Sequence, residues 1–458
     1  MIHFFVLLIS IVLFEVSDDT LRLEFSLVII VPYFVYLITQ LKSYRGKVLV
    51  PPFLLTLYTV FSIVAGAFVI KYGLSVNILQ AYGFFSEASL NRCIYISVVG
   101  VSSCWFAFSL LMKISNPYAG NESFSITPLS LKDGMSVVVI SILAFLLLLV
   151  YTGNFGYYAQ DSELSNYTEK VYQFILLIVS FYFLYDKRLK HKVFYYSVVI
   201  ILCLLGLFSG SKSLLLLPVF TLYVIESLRS GKWTNKYLKY IPILFVVAFI
   251  LIIPIRNMLR SGSELSTQES ISLIKESSGD LSIGEMVIED FVSRINYVPV
   301  LSVALENEGR GPENVQKLWE YTMFSPVYAF IPRFIYKDKP SNTFSNWYAS
   351  NLMGSTDDNH MSASYQGILY MNGGILSVIM GFLLVGVLFY FLYYYYFQEK
   401  YIYIYLAQVM DFVVLPAEPW VLYVTVIQNF VLYYILHKLI VKNENTCNSY
   451  AWMWKFRG

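Results

Sequence analysis

Between Ile331 and Gly374 stand Arg333, Lys337, Lys339 and His360, in a chain that is otherwise mostly apolar. Fixed cations suit an anionic, phosphate-bearing ligand. An imidazole that titrates near neutrality can take a proton from a hydroxyl. His360 follows Asp357 and Asp358, and a lone histidine can equally be structural. Upstream, Arg256 and Arg260 are i and i+4, so they share a helix face. Two guanidiniums on one face can fork onto phosphate oxygens; the competing reading is interfacial anchoring of a helix end. Lys212 lies in Gly210-Ser211-Lys212-Ser213, a tight turn whose backbone N–H groups can approach a phosphate. The turn lacks the Walker A spacing, and its alternative is a helical hairpin with a snorkelling lysine. Arg294, in the run SRINYV, is either a further phosphate contact or a solvated helix charge. Asp18 and Asp19 occupy a loop so short that helix-end polarity explains them. No zinc spacing, Ser-His-Asp set or Gly-rich nucleotide motif is present, so the chemistry is expected to proceed without metal or cofactor.

The elements that must position these groups are membrane helices. Of the 458 residues, 57% are hydrophobic and 14% charged, where a soluble domain carries about a quarter charged residues. Mean hydropathy is +0.61. Runs of about twenty apolar residues recur throughout, each long enough to cross a bilayer as a helix. Spans are expected at 2–17, 22–42, 50–70, 93–113, 134–153, 170–186, 193–209, 213–229, 238–256, 374–397, 400–417 and 419–440. The span at 400–417 is the weakest, because it holds Asp411 and Pro416. The fold class is therefore all-α: a polytopic integral membrane protein of about twelve spans. Its parts are 1–256 (nine spans), 257–373 (a large hydrophilic segment), 374–440 (three spans) and the tail 441–458.

Lysine and arginine set the expected orientation. The loops at 42–47, 186–192 and 229–239 and the tail are basic, and alternating spans put them on one side. Asp18-Asp19, the acidic loop around Asp161 and Glu163, and the long segment fall on the other. Both termini are thus expected to be cytoplasmic and 257–373 extracytoplasmic. The N-terminal stretch lacks a basic leader and a cleavage site, and reads as a retained first span. Within the long segment, 285–305 shows helical spacing, with Pro299 expected to kink or divide it. The apolar, proline-broken piece Trp319 to Ile335 is expected at the interface. The net charge of +2 gives no polyanion signal, so nucleic acid is not an expected partner. The four cysteines form no metal-type spacing and no disulfide framework.

The order and sidedness of several short motifs carry a resemblance. They are Gly210-Ser211-Lys212; Arg294 followed by Pro332-Arg333 and Lys339-Pro340; and Gly367-x-x-Tyr370-x-Asn372-Gly373-Gly374. With the topology and the large late loop, the chain resembles the Wzy-type O-antigen and oligosaccharide repeat-unit polymerases, which are related to the O-antigen ligases. Two positions depart from the pattern: Lys212 stands where an arginine is expected, and Ile368 where an acid is expected after the glycine. The resemblance implies a GT-C-like membrane glycosyltransferase of the bacterial inner (plasma) membrane. Its donor would be a glycan on undecaprenyl diphosphate, its acceptor a repeat unit on the same carrier. Its partners would be membrane lipids and a chain-length regulator protein. It implies diphosphate contacts from Lys212, Arg256, Arg260, Arg294 and Lys339, catalytic roles for Arg333 and His360, and acceptor positioning by Tyr365, Tyr370 and Asn372. An O-antigen ligase is the alternative within enzymes. A lipid-linked oligosaccharide flippase is the alternative outside them, although no internal repeat supports a transporter.

Overall fold

The computed structural model describes residues 2–41, 50–73, 85–115, 296–311, 344–354 and 363–396, with Tyr44, Tyr405, Val431, Tyr434, Ile435 and Lys438 as single positions. Every regular element among these residues is helical. They are α1 (Ile2–Glu15), α2 (Ser26–Leu41, entered through a 3₁₀ turn at Leu23–Phe25), α3 (Pro51–Lys71), α4 (Glu87–Ser115), α5 (Val298–Leu305), α6 (Phe344–Asn351) and α7 (Tyr365–Tyr396). Four of these stretches are long and apolar enough to cross a membrane: Leu23–Leu41, Pro51–Lys71, Glu87–Ser115 and Tyr365–Tyr395. They coincide with four of the expected spans, at 22–42, 50–70, 93–113 and 374–397. The expected spans from 134–153 to 238–256, and those at 400–417 and 419–440, lie outside the described residues except at single positions. The chain divides into two compact units, one of residues 1–124 and 281–427, the other of 125–280 and 428–458. Nearly all described residues belong to the first. In the second, Lys438 lies 4.8 Å over the ring of Tyr434.

α4 is the axis of the first unit and is buried along most of its length. α1 runs antiparallel to it. His3 stacks on Trp105 at 5.7 Å, and at the other end the Arg92 guanidinium lies 5.8 Å over the Phe14 ring. α2 starts beside the start of α4, where Glu87 accepts the Leu23 N–H. α3 ends there, with Lys71 paired to Glu87. The loop holding Asp18 and Asp19 is therefore at the Glu87 end. Tyr44, from the basic loop 42–47, is at the opposite end, against Trp105, Phe108 and Tyr393. At that far end one buried network ties four helices. His3 shares hydrogen bonds with the Tyr33 hydroxyl (2.9 Å) and Ser109 Oγ (3.4 Å), and Trp105 Nε1 donates to Thr56 Oγ1 (3.0 Å). Between helices in an apolar medium, polar side chains are stable only when bonded in this way. Outward faces carry residues such as Phe5, Ile9, Val12, Val28, Val35 and Leu384, as lipid contact requires.

α7 is two helices. Gly373 is extended and Gly374 has φ +61°, so the chain reverses between an arm at 365–372 and an arm at 375–396. The arms lie side by side: the Tyr365 ring meets Phe382 edge-on at 5.2 Å, and its hydroxyl donates to the Gly381 carbonyl at 3.4 Å. The longer arm descends parallel to α4. A Cβ at Gly100 would come within 2.8 Å of the Phe382 ring, and one at Gly386 would overlap the Cys104 carbonyl. Small residues thus set the close spacing of these two helices.

α5 and the short arm of α7 are half-length helices that also pack along α4. Gln366 Nε2 donates to Ser97 Oγ at 3.3 Å. Ser97 is ten residues into α4, or about 15 Å along it at 1.5 Å per residue. α5 enters at a comparable level through α3. A π-helical stretch at Val60–Val64 opens the backbone ladder there, and the Ser62 carbonyl takes the Tyr297 N–H at 3.1 Å. Asn296 donates to the Gly66 carbonyl (3.2 Å) and accepts from the Val298 N–H (3.0 Å). Gly66 is required because a Cβ there would overlap Asn296 Oδ1. In the run 285–305, where Pro299 is expected to kink or divide a helix, the described helix begins at Val298. Pro299 stands in the first turn of α5, where a missing N–H costs nothing. Residues 285–295 lie outside the described residues.

Candidate functional site

The Glu87 end of the bundle gathers the polar ends of six elements. Asp18 Oδ1 accepts from the Thr20 hydroxyl (2.6 Å), the Thr20 N–H (3.0 Å) and the Leu21 N–H (3.2 Å). These bonds, led by the Thr20 hydroxyl, hold the Asp18 carboxyl below its ordinary range. Asp19 accepts from the Ala88 N–H at 3.2 Å, in the first turn of α4. Both acids therefore have structural duties, as the shortness of their loop suggests. Lys71 bridges Glu24 (2.8 Å) and Glu87 (3.0 Å), joining α2, α3 and α4. The Tyr72 hydroxyl donates to Glu24 at 2.8 Å, and that bond raises its pKa. Such pairs are screened by solvent, and their main effect is to hold the helix ends in register.

The motif Gly367-x-x-Tyr370-x-Asn372-Gly373-Gly374 forms the short arm of α7 and the reversal above it. Ser364 caps the arm, its Oγ accepting the Gly367 N–H at 3.2 Å. A Cβ at Gly367 would lie 2.9 Å from Ala304 Cβ, so this glycine brings the arm against α5. Ile368 is fully buried among Val300, Ala304, Phe344, Tyr348 and Met371. This apolar cluster joins α5, α6 and the short arm, and the Tyr348 hydroxyl secures it by donating to the Val300 carbonyl at 2.5 Å. The Ile368 side chain, at the position where the resemblance expects an acid, faces this apolar core.

The three acceptor-positioning residues named from the sequence have different places. Tyr365 is buried between the two arms and packs them together. Tyr370 is half-buried higher on the arm, its ring 5.6 Å from that of Phe14. Asn372 ends the arm, half-buried, one residue before the reversal. Lys212, Arg256, Arg260, Arg294, Arg333, Lys337, Lys339 and His360 lie outside the described residues.

One group missed in the sequence joins this site. Glu308 follows α5 in the turn Glu306-Asn307-Glu308-Gly309-Arg310-Gly311. The Gly309 N–H donates to the Met371 carbonyl at 2.9 Å, which docks the turn on the end of the short arm. Glu308 is thereby carried over the reversal, where a Cβ at Gly374 would be 2.7 Å from its Oε1. Glu308, Arg92 and Glu15 are the charged groups acting on Tyr370. The signal in the sequence was an acid followed by Gly309 and Gly311 shortly after an apolar helix. Without the docking bond, nothing linked it to Tyr370.

No family model, curated protein or solved structure matches this chain.

Proposed function

We propose that the protein is a membrane glycosyltransferase that polymerises oligosaccharide repeat units carried on undecaprenyl diphosphate. A hydroxyl of the acceptor unit attacks the anomeric carbon of the donor. The bond from that carbon to the diphosphate oxygen breaks, and undecaprenyl diphosphate leaves with the electron pair. The leaving group gains charge, so preorganised cations lower the barrier. Arg333, Lys339, Arg256, Arg260, Arg294 and Lys212 are assigned to that task, and His360 to the acceptor proton. Inversion at the anomeric carbon is the outcome implied by the resemblance. In this reading the chain has about twelve spans, a GT-C-like arrangement and cytoplasmic termini.

The observation that best supports the reading is the anchoring of the long hydrophilic segment. Its parts α5, α6 and the short arm of α7 form one apolar cluster, and α5 and the arm also bond to α3 and α4. The polar turn of α5 and the Gly-Gly reversal thereby stand together at the Glu87 end. A lipid-linked sugar needs such an arrangement: reactive groups at a membrane face, beside helices that can shelter a prenyl tail.

The test uses purified protein in nanodiscs, given an undecaprenyl-diphosphate-linked repeat unit and no nucleotide. A glycan ladder that disappears with Arg333→Ala supports both the polymerase and its cationic site. No ladder, with transfer to a lipid A core acceptor, makes the protein a ligase. No ladder, with movement of labelled substrate across a vesicle bilayer, makes it a flippase.

A further inference from the structure

The charged groups at the Glu87 end differ in how far they are committed: Glu306 accepts from the Ser89 hydroxyl at 3.4 Å, and Arg310 donates to Asn307 at 2.9 Å. Asp18, Asp19, Glu24, Lys71 and Glu87 are committed to bonds that fasten helix ends. Among the described residues, no ion pair engages Glu15, Arg92 or Glu308, and Glu308 accepts a hydrogen bond from the Tyr370 hydroxyl. All three act electrostatically on one half-buried aromatic, Tyr370, and come from α1, α4 and the turn after α5. Arg92 is held over Phe14 at 5.8 Å, and Phe14 backs Tyr370 at 5.6 Å. Glu308 overhangs the reversal at Gly373-Gly374, where the backbone carries no side chain to cover the carboxylate.

A part-open aromatic flanked by an acceptor-only carboxylate and a donor-only guanidinium fits a neutral sugar. Ring C–H groups lie on the tyrosine, hydroxyls donate to the carboxylate, and the guanidinium donates to a sugar oxygen. Two carboxylates against one guanidinium leave the patch with a formal charge of −1 at neutral pH, which disfavours a diphosphate there. We infer that Glu308, Tyr370 and Arg92 form a sugar-binding subsite for the acceptor repeat unit, an inference that rests on the polymerase reading above. The diphosphate is left to the cations of the long segment.

The test compares wild-type protein with Glu308→Gln in nanodiscs, using lipid-linked repeat unit extracted from cells that do not polymerise it. Glutamine keeps the shape and leaves the Gly309–Met371 bond in place. The apparent KM should rise about tenfold, the worth of a hydrogen bond to a charged group. kcat should stay within about twofold, because uniform binding alone is lost. In parallel, the free oligosaccharide, released from its lipid by mild acid, is examined by saturation-transfer NMR against both proteins. Sugar contact with the wild type but not with Glu308→Gln, in protein that makes no polymer, upholds the subsite and removes the polymerase reading. An unchanged KM with unchanged sugar contact overturns the subsite while polymerisation stands. A fall in kcat at constant KM also overturns it. A wild type that neither polymerises nor contacts the sugar overturns both.

Discussion

Replacing Gly66 with alanine puts a methyl group where Asn296 Oδ1 already stands. Asn296 is buried, and its side chain both donates to the Gly66 carbonyl and accepts from the Val298 N–H. It can make room only by giving up those bonds. Leaving buried polar groups unmatched costs about 1–3 kcal/mol each, and overpacking adds about 1–3 kcal/mol. Alanine returns about 1 kcal/mol in helix propensity. With one group left unmatched, a net loss of about 1–5 kcal/mol follows, concentrated where α5 docks on α3. The assay is a double-mutant cycle by thermal unfolding in nanodiscs, with Gly66→Ala, Asn296→Ala and the pair. Asn296→Ala removes the obstructing atoms, so Gly66→Ala should then be nearly neutral or stabilising. The coupling should be about 2 kcal/mol or more, well above the few tenths expected of independent sites. If Gly66→Ala costs the same with and without Asn296, the proposed contact between α3 and the start of α5 is wrong.

Ile368→Glu introduces an acid into the motif but buries it among Val300, Ala304, Phe344, Tyr348 and Met371. An unpaired carboxylate there should lower the unfolding temperature severely and reduce folded yield; a stable variant with higher activity would contradict the apolar assignment of this position. Asp18 has a folded-state pKa below its ordinary 3.8, held down by the Thr20 hydroxyl and amide. Its contribution to stability is therefore present above that value and declines as pH falls through the lower folded-state pKa. Asp18→Asn should flatten the acid side of the melting-temperature profile, and an unchanged profile would count against the Thr20 bonds.

Much of the fold was legible because membrane helices advertise themselves in composition. The apolar runs at 22–42, 50–70, 93–113 and 374–397 correspond to Leu23–Leu41, Pro51–Lys71, Glu87–Ser115 and the longer arm of α7. Lipid demands a continuous apolar exterior and internally bonded backbone, so length and hydropathy nearly suffice. The site was legible only in part. Gly367, Tyr370, Asn372, Gly373 and Gly374 stood out as a motif, yet nothing in their spacing separates Tyr365, which packs two arms, from Tyr370, which meets charge.

What the sequence determined by itself is the membrane character, the position of these apolar segments and the local cluster Arg333, Lys337 and Lys339 in one late hydrophilic stretch. Those properties are sums over local residues, so they survive without knowledge of contacts. The tertiary structure decided that α7 folds back on itself at Gly373-Gly374. It also decided that α5 takes its seat through a π-helical opening in α3, and that Glu308 arrives beside Tyr370 from 62 residues upstream. These outcomes depend on the missing methyl group at Gly66, one carbonyl at Ser62 and one amide at Gly309, each meeting a partner distant in sequence. Hydropathy averages over such single atoms, whereas close packing in three dimensions turns on them.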